Sequence, residues 1–244
     1  MILFNGCSWT YGDELPHAKE ELRYSYFTPN SINIARNGNS NDFILHSTLE
    51  YLQTHEIKPS AIVIQWTHTA RGMIRQEDNS IIQFTPNSMT RQNKNRETAN
   101  KFYDIYTVQY GEDNLWKNNY IMQSYCDLND IQYVPLCIRS KYWTTQNQSI
   151  YKKMSKEPYD IELGCLHTWH EKSYGGRYRV PDDLKEPDGH PSIKAHQMIG
   201  YKVKEILDNG IDEIEMQHIE KIRRHINWKD ETIKWSKEKL KEIG

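Results

Sequence analysis

Short apolar runs and helical patterns alternate along the first part of the chain. Residues 2–4 are apolar and end at Gly6, and residues 31–35 form a second short strand pattern. After Ser40, which suits a helix N-cap, residues 41–56 carry apolar side chains at helical spacing. Residues 61–64 are continuously apolar, which is typical of a strand buried on both faces. This order predicts an α/β fold with a parallel sheet and right-handed crossovers.

The rest of the chain mixes two long polar stretches with further elements. Residues 67–96 are polar, and residues 80–84 indicate a strand, half of a hairpin, within a rim over the site. Residues 19–27 predict a short helix and residues 101–128 a longer one that is broken near Gly111. Residues 131–138 predict a core strand, where Pro135 favours an edge position. Pro191 then opens a helix that runs to about Leu207.

These elements predict one α/β domain over residues 1–208, with insertions at about 67–100 and 139–186. Residues 209–244 form a C-terminal helical extension. In this extension four apolar residues lie seven apart: Ile219, Ile226, Ile233 and Leu240. Two interpretations stay open, since such a seam fits either packing on the domain or a subunit contact in a homo-oligomer.

Composition narrows the class of protein. The chain has 244 residues and a formal charge of −2, so no basic field indicates nucleic acid or an acidic lipid surface as a partner. No apolar run is long enough to span a membrane, and the start of the chain lacks a signal-peptide pattern. The four cysteines are scattered, which favours reduced thiols and a cytoplasmic protein. Cys7 has two interpretations, a nucleophile or, as we expect, a small buried residue behind Ser8.

Four polar blocks follow predicted strands or precede a predicted helix. They are Gly6-Cys7-Ser8, Asn37-Gly38-Asn39-Ser40-Asn41, Gln65-Trp66-Thr67-His68 and Asp188-Gly189-His190-Pro191-Ser192. In this order the blocks resemble those of the SGNH/GDSL hydrolase family over most of the chain. The resemblance implies a three-layer α/β/α fold of flavodoxin-like type with a central, mostly parallel sheet.

The resemblance also implies roles for individual residues in cleavage of an ester. Ser8 is the expected nucleophile, His190 the general base and then acid, and Asp188 the residue that orients His190. The backbone N–H groups of Ser8 and Gly38 are the expected oxyanion donors. The remaining predicted binding residues are Asn41, Gln65, Thr67 and His68. We expect no cofactor and no metal, and the expected partner is a small ester, such as an acylated or acetylated carbohydrate.

Two blocks depart from the family pattern. Where the third block of the family carries Asn, this chain has Thr67, and Gln65 is the nearby amide. The family acid lies three residues before the histidine, but here that position is Pro187 and Asp188 lies two before. An alternative hypothesis is therefore a binding or structural protein that kept the fold and lost the chemistry.

Other patterns suggest weaker hypotheses. The three tryptophans Trp66, Trp143 and Trp169 are candidates for a carbohydrate-stacking surface, although tryptophan is more often a core residue. His167 and His170 have no third metal ligand nearby in the sequence. The polar, Asn- and Lys-rich composition is similar to that of hydrolase-like proteins of tailed phages, and a protein of that kind is expected in the host cytoplasm or in the virion.

Overall fold

A computed structural model describes residues 1–13, 15, 20–90, 94–137, 149–155 and 193–209. Within these residues the main sheet contains β1 (Ile2–Asn5), β2 (Ser31–Asn33), β3 (Ala61–Trp66) and β6 (Gln132–Cys137). These strands are all parallel, in the order β2-β1-β3-β6. A separate antiparallel hairpin pairs β4 (Gly72–Arg75) with β5 (Ile81–Phe84).

Helices cover both faces of the main sheet. The described α-helices are α1 (Ser8–Tyr11), α2 (Asn41–Thr54), α3 (Arg96–Ile105), α4 (Val108–Leu128), α5 (Ile150–Met154) and α6 (Ile193–Asn209). Short 3₁₀ helices span Glu20–Leu22, Tyr24–Phe27 and Pro86–Met89.

Alternating strand side chains divide the core into two halves. On one face Leu3 and Ile62 pack with α2 and α4, in a cluster that includes Ile44, Leu115, Trp116 and Met122. On the other face Phe4 and Val63 pack with α6, in a cluster that includes Tyr24, Ile199, Val203 and Ile206. The predicted three-layer α/β/α class with a parallel sheet is confirmed.

The strand order creates a switch point between β1 and β3. The chain passes from β1 to β2 on one side, and then to β3 on the opposite side of β1. In such sheets, ligands bind beyond the carboxyl ends of the strands where the direction reverses. The residues that follow β1 and β3 therefore lie where this architecture places a site.

Several local predictions are confirmed. Ser40 is the N-cap of α2, and its Oγ accepts a hydrogen bond from the Phe43 N–H at 3.2 Å. The strand expected at residues 80–84 is β5, one half of the hairpin. Pro135 lies in β6, which is an outer strand in the described part of the sheet.

Two helix predictions were wrong in detail. The break expected near Gly111 lies earlier, between α3 and α4, where Thr107 caps α4 by accepting from the Tyr110 N–H at 3.1 Å. Gly111 lies inside α4, where a Cβ would come within 2.3 Å of the Tyr106 Oη. Close packing, not a helix end, explains this glycine. Residues 20–27 form two 3₁₀ helices instead of one α-helix.

Other predictions fall largely outside the described residues. They include the C-terminal extension and the insertion at 139–186, of which the structure describes residues 149–155 alone. The boundaries at 208 and 209 stay predictions. Among the helices that the structure describes, none has the length and apolar character needed to cross a membrane.

Candidate active site

The end of β1 is anchored to the helix behind it by a buried amide. Asn5 Nδ2 donates to the Ile44 carbonyl at 3.0 Å and to Thr48 Oγ1 at 2.8 Å, both in α2. The other end of the same side chain, Oδ1, accepts from the Gly6 N–H at 2.8 Å. The chain therefore leaves the sheet at a defined point.

Gly6 then turns the chain through a crowded space. A Cβ added there would lie 2.2 Å from Thr10 Oγ1 and 3.0 Å from Gln65 Cβ. Ser8 begins α1, and Gly12 ends it with a left-handed φ of 75° and an N–H bonded to the Ser8 carbonyl at 2.8 Å. Ser8 is thus held at the carboxyl end of β1, beside the switch point.

Gln65, near the end of β3, supports this turn. Its Oε1 accepts from the Cys7 N–H at 3.3 Å, from Cys7 Sγ at 3.1 Å and from Thr10 Oγ1 at 3.1 Å. Its Nε2 donates to the Trp66 carbonyl at 2.7 Å. Both ends of the fully buried amide therefore have protein partners. Gln65 was predicted to bind ligand; in the structure it holds the turn that carries Ser8, and direct ligand contact stays a prediction.

Cys7 lies in the core. Its side chain is fully buried in the cluster that contains Phe4 and Val63, and its Sγ accepts from Ser8 Oγ at 3.9 Å. The interpretation of Cys7 as a small buried residue behind Ser8 is consistent with this position.

Gly38 adopts the left-handed conformation, with a φ of 78°. An added Cβ would meet no described atom within 4 Å. Conformation, not crowding, therefore explains the glycine. The next residue, Asn39, joins this turn to the first one, because its fully buried Nδ2 donates to the Gly6 carbonyl at 2.9 Å.

Asn39 was not predicted as a site residue. The sequence analysis placed Asn39 in the second polar block without giving it a role, and the contact of Asn39 with Gly6 joins residues far apart in the sequence. No local pattern encodes such a contact, so the structure alone identifies it.

Asn41 fixes the loop after β3. Its Oδ1 accepts from the Thr67 N–H at 2.7 Å, and its Nδ2 donates to the Thr67 carbonyl at 3.2 Å. The Thr67 hydroxyl is buried, and no described residue hydrogen-bonds to it. His68 follows and is partly exposed, with its carbonyl accepting from the Arg71 N–H at 3.2 Å.

Five of the predicted residues lie at one edge of the sheet in the structure: Ser8, Gly38, Asn41, Gln65 and Thr67. Gln65 contacts the turn of Ser8, Asn41 contacts Thr67, and Asn39 links the neighbouring turn of Gly38 to Gly6. His190 and Asp188 lie outside the described residues, as do Trp143, Trp169, His167 and His170. Their contribution to the site therefore stays a prediction.

Trp66 contradicts the hypothesis of a tryptophan surface. It is fully buried, and its Nε1 donates to Tyr133 Oη at 3.0 Å and to Asn119 Oδ1 at 3.2 Å. Trp66 is therefore a core residue and cannot stack on a sugar.

A buried tyrosine lies beneath the turn of Ser8. Tyr24 Oη and Thr10 Oγ1 are 2.7 Å apart, and the Tyr24 N–H donates to Nδ1 of the buried His196 at 3.2 Å. Burial raises the pKa of the Tyr24 phenol well above its ordinary value, although the hydrogen bond with Thr10 opposes this rise. Burial therefore favours the neutral phenol, which contacts the turn through Thr10.

The β4–β5 hairpin reaches the same edge through two polar side chains. Gln83 Oε1 accepts from the Ser40 N–H at 3.0 Å, and Gln83 Nε2 donates to Asn39 Oδ1 at 3.4 Å. Arg71, just before β4, donates from Nη1 to the Asn39 carbonyl at 3.2 Å. The predicted rim is thus fixed to the turn that follows β2.

Metal ligands are not assembled in the described part of the chain. There, no three His, Cys, Asp or Glu side chains form a group that could hold a metal ion.

Comparisons with known proteins gave matches among solved structures. No family model and no curated protein matches the chain. It is similar to a lipolytic protein of the G-D-S-L family from Veillonella parvula at 11% identity and a TM-score of 0.42, over 85% of this chain and 98% of that one.

Two further solved structures are esterases. One is a carbohydrate esterase family 2 enzyme from Corynascus thermopiles, at 13% identity and a TM-score of 0.42, over 86% of this chain and 65% of that one. The other is a psychrotrophic esterase from Pseudoalteromonas, at 14% identity and a TM-score of 0.41, over 85% of this chain and 98% of that one. The solved structures that are similar to this chain thus include members of the G-D-S-L family, which the four sequence blocks also resemble.

Proposed function

We propose that the protein is a serine hydrolase of the SGNH type that cleaves an ester by acyl transfer. One observation carries the proposal. Ser8 begins α1 at the carboxyl end of β1, in a turn that Gln65 and Asn39 hold beside the switch point of the sheet. A nucleophile needs such a fixed position at a ligand-binding edge.

In the proposed mechanism, Ser8 Oγ attacks the ester carbonyl while its proton passes to His190, which Asp188 orients. The N–H groups of Ser8 and Gly38 donate to the developing oxyanion. Collapse of the intermediate expels the alcohol, which takes its proton from His190. Water, activated by His190, then attacks the acyl-enzyme and releases the acid and free Ser8.

The test is loss of turnover on removal of either group. Ser8→Ala and His190→Ala are each expected to lower hydrolysis of 4-nitrophenyl acetate by about 10,000-fold, without unfolding the chain. A fluorophosphonate probe is expected to label the wild type at Ser8 and to leave Ser8→Ala unlabelled. Ser80→Ala and His55→Ala, at exposed positions, are the matched controls. Retained turnover in Ser8→Ala or His190→Ala contradicts the assignment.

A second candidate function is that of a binding or structural protein with the same fold, associated with a virion. The observation in its favour is that the third block supplies no free amide, because Gln65 is engaged within the protein and Thr67 has only a hydroxyl. Loss of one oxyanion donor typically lowers the rate by about 100- to 1,000-fold. Failure of the folded wild type to react with the fluorophosphonate probe would support this candidate.

A further inference from the structure

Arg71 lies at the candidate site, and among the described residues it has no acidic partner. Its side chain is partly buried, and in the described part of the chain its guanidinium has one hydrogen bond, from Nη1 to the neutral Asn39 carbonyl at 3.2 Å. The ion pairs of the described residues do not include Arg71. A guanidinium has five N–H donors in a planar fork, so most of its donors remain available to a ligand.

Two hydrogen bonds of Arg71, and a third made by its partner Asn39, connect Arg71 to the turn of the proposed nucleophile. Its Nη1 contacts the Asn39 carbonyl, and the side chain of the same Asn39 contacts the Gly6 carbonyl at 2.9 Å, two residues before Ser8. Its backbone N–H donates to the His68 carbonyl at 3.2 Å, in the loop that follows β3. Arg71 therefore lies in the loop that follows β3, at the carboxyl edge of the sheet, and its side chain reaches the loop that follows β2.

Arg71 lies near a partly buried aromatic cluster. Tyr103 Oη donates to the Ala70 carbonyl at 2.5 Å, and the Tyr103 ring packs edge-on against Phe102 and Phe84. Burial raises the pKa of the Tyr103 phenol to about 12, and the positive charge of Arg71 opposes this rise, which indicates that the two groups are near each other. A cation in such a place gains more from an anion than it would in water.

We propose that Arg71 binds a carboxylate, or a similar monoanionic group, that the ester substrate carries. This inference rests on the proposed function, and it narrows the substrate class to acidic esters. The planar fork of the guanidinium matches the two oxygens of a carboxylate. A lysine ammonium lacks this matching geometry. The carboxylate can belong to the acyl half or to the alcohol half of the ester.

The experiment measures binding and not turnover, so that it does not depend on catalysis. Two pairs of ligands differ only in an amide that replaces the carboxylate: mono-methyl succinate with methyl succinamate, and acetoxyacetate with acetoxyacetamide. The first pair tests an acyl-side charge and the second an alcohol-side charge. Affinities are measured by NMR titration of the full-length Ser8→Ala variant, alone and combined with Arg71→Gln, Arg71→Lys or Arg75→Gln.

We expect at least one carboxylate ligand to bind about 10- to 100-fold more tightly than its amide partner. Arg71→Gln is expected to remove this preference and Arg71→Lys to reduce it. Arg75→Gln, at an exposed arginine of the same hairpin, is expected to retain it. Equal binding within both pairs, or a preference that survives Arg71→Gln, overturns the proposal. If the wild type binds these ligands but does not hydrolyse them, the proposed function is wrong, and this result is distinct from the loss of the carboxylate preference.

A purely structural role for Arg71 gives a different result. If the guanidinium serves only to hold the Asn39 carbonyl, Arg71→Gln weakens both members of each pair equally and leaves their ratio unchanged. The ratio of affinities therefore separates ligand binding from loop support.

Discussion

Gly6 and Gly38 lie in neighbouring turns at the same edge of the sheet, but glycine is needed at the two positions for different reasons. At Gly6 the space is filled, since a Cβ would overlap Thr10 Oγ1 at 2.2 Å. At Gly38 the space is open among the described residues, and the requirement is the φ of 78°. The first turn is therefore sensitive to volume and the second to backbone conformation.

The two turns also differ in what lies behind them. Thr10, Gln65 and Tyr24 form a buried polar layer under the turn of Gly6. The turn of Gly38 is attached at its ends, through Asn37 to Asp13 at 2.6 Å and through Asn39 to Gly6 at 2.9 Å. The turn that carries the proposed nucleophile is thus supported by the core, and the turn that carries the second oxyanion donor is supported by its neighbours.

Of the changes to the two turns, Gly6→Ala is expected to have the largest effect on the free energy of unfolding. Because the added methyl group meets Thr10 and Gln65, we expect the free energy of unfolding to fall by about 3 kcal/mol, at the upper end of overpacking costs. Urea unfolding measures this change, and labelling by the fluorophosphonate probe reports the displacement of Ser8. A variant as stable as the wild type would contradict the crowding seen at this turn.

Alkaline pH is expected to weaken the layer beneath the same turn. The pKa of Tyr24 is raised in the folded state, mainly by burial, above the value of about 10 in an unfolded chain. The folded state therefore favours the neutral phenol, and its contribution to stability is complete below pH 10 and decreases as the pH rises further. A tyrosine whose pKa is raised in the folded state lowers the free energy of unfolding by about 1.4 kcal/mol per pH unit above pH 10.

The contribution of Tyr24 can be isolated by substitution. The free energy of unfolding is expected to fall less steeply between pH 10 and 11.5 in Tyr24→Phe than in the wild type, because one buried phenol has been removed. Urea unfolding at a series of pH values measures this difference. Tyr26→Phe, at a tyrosine that is 62% exposed, is the matched control for loss of a phenol. An unchanged pH slope in Tyr24→Phe would count against a buried, neutral Tyr24.

Gly38→Ala is expected to have a smaller effect than Gly6→Ala. The left-handed conformation costs a residue with a Cβ about 1–2 kcal/mol, and no overlap adds to this cost. The free energy of unfolding should fall by that amount in urea titrations. A loss as large as that of Gly6→Ala would show that the turn of Gly38 is also crowded.

Gly38→Asn is expected to have the smallest effect, a loss of under about 1 kcal/mol, because asparagine tolerates the left-handed conformation. The same urea titration compares it with Gly38→Ala. If Gly38→Asn lowers the free energy of unfolding more than Gly38→Ala does, the volume of the side chain and not the backbone conformation explains the need for glycine at this position.

Much of the fold was predictable from patterns over a few neighbouring residues. The buried run at residues 61–64 and the helical spacing after Ser40 predicted β3 and α2, because the burial of both elements follows from local periodicity. The prediction of a helix break near Gly111 was wrong, since the role of that glycine depends on contact with Tyr106 and Thr69 in other segments. Glycine has several uses, and its sequence position does not say which one applies.

The candidate site was predictable in part. The positions of Ser8, Gly38 and Thr67 after strands followed from the sequence, because a parallel sheet brings its carboxyl ends to one edge. The sequence did not indicate that Gln65 would hold the turn of Ser8, or that Asn39 and Arg71 would join the loops around it. These contacts form only after distant segments pack together.

The sequence by itself determined the α/β class, the strands of the main sheet and the polar blocks near them, since periodicity and turn chemistry are local properties, but it did not indicate β4. The tertiary structure decided which amides support the turns and which described side chains join the loops around them. The physical reason is that a buried amide must find partners wherever packing provides them. Gln65 finds its partners in the turn of Ser8, whereas within the described residues the guanidinium of Arg71 has a single hydrogen bond, to the Asn39 carbonyl.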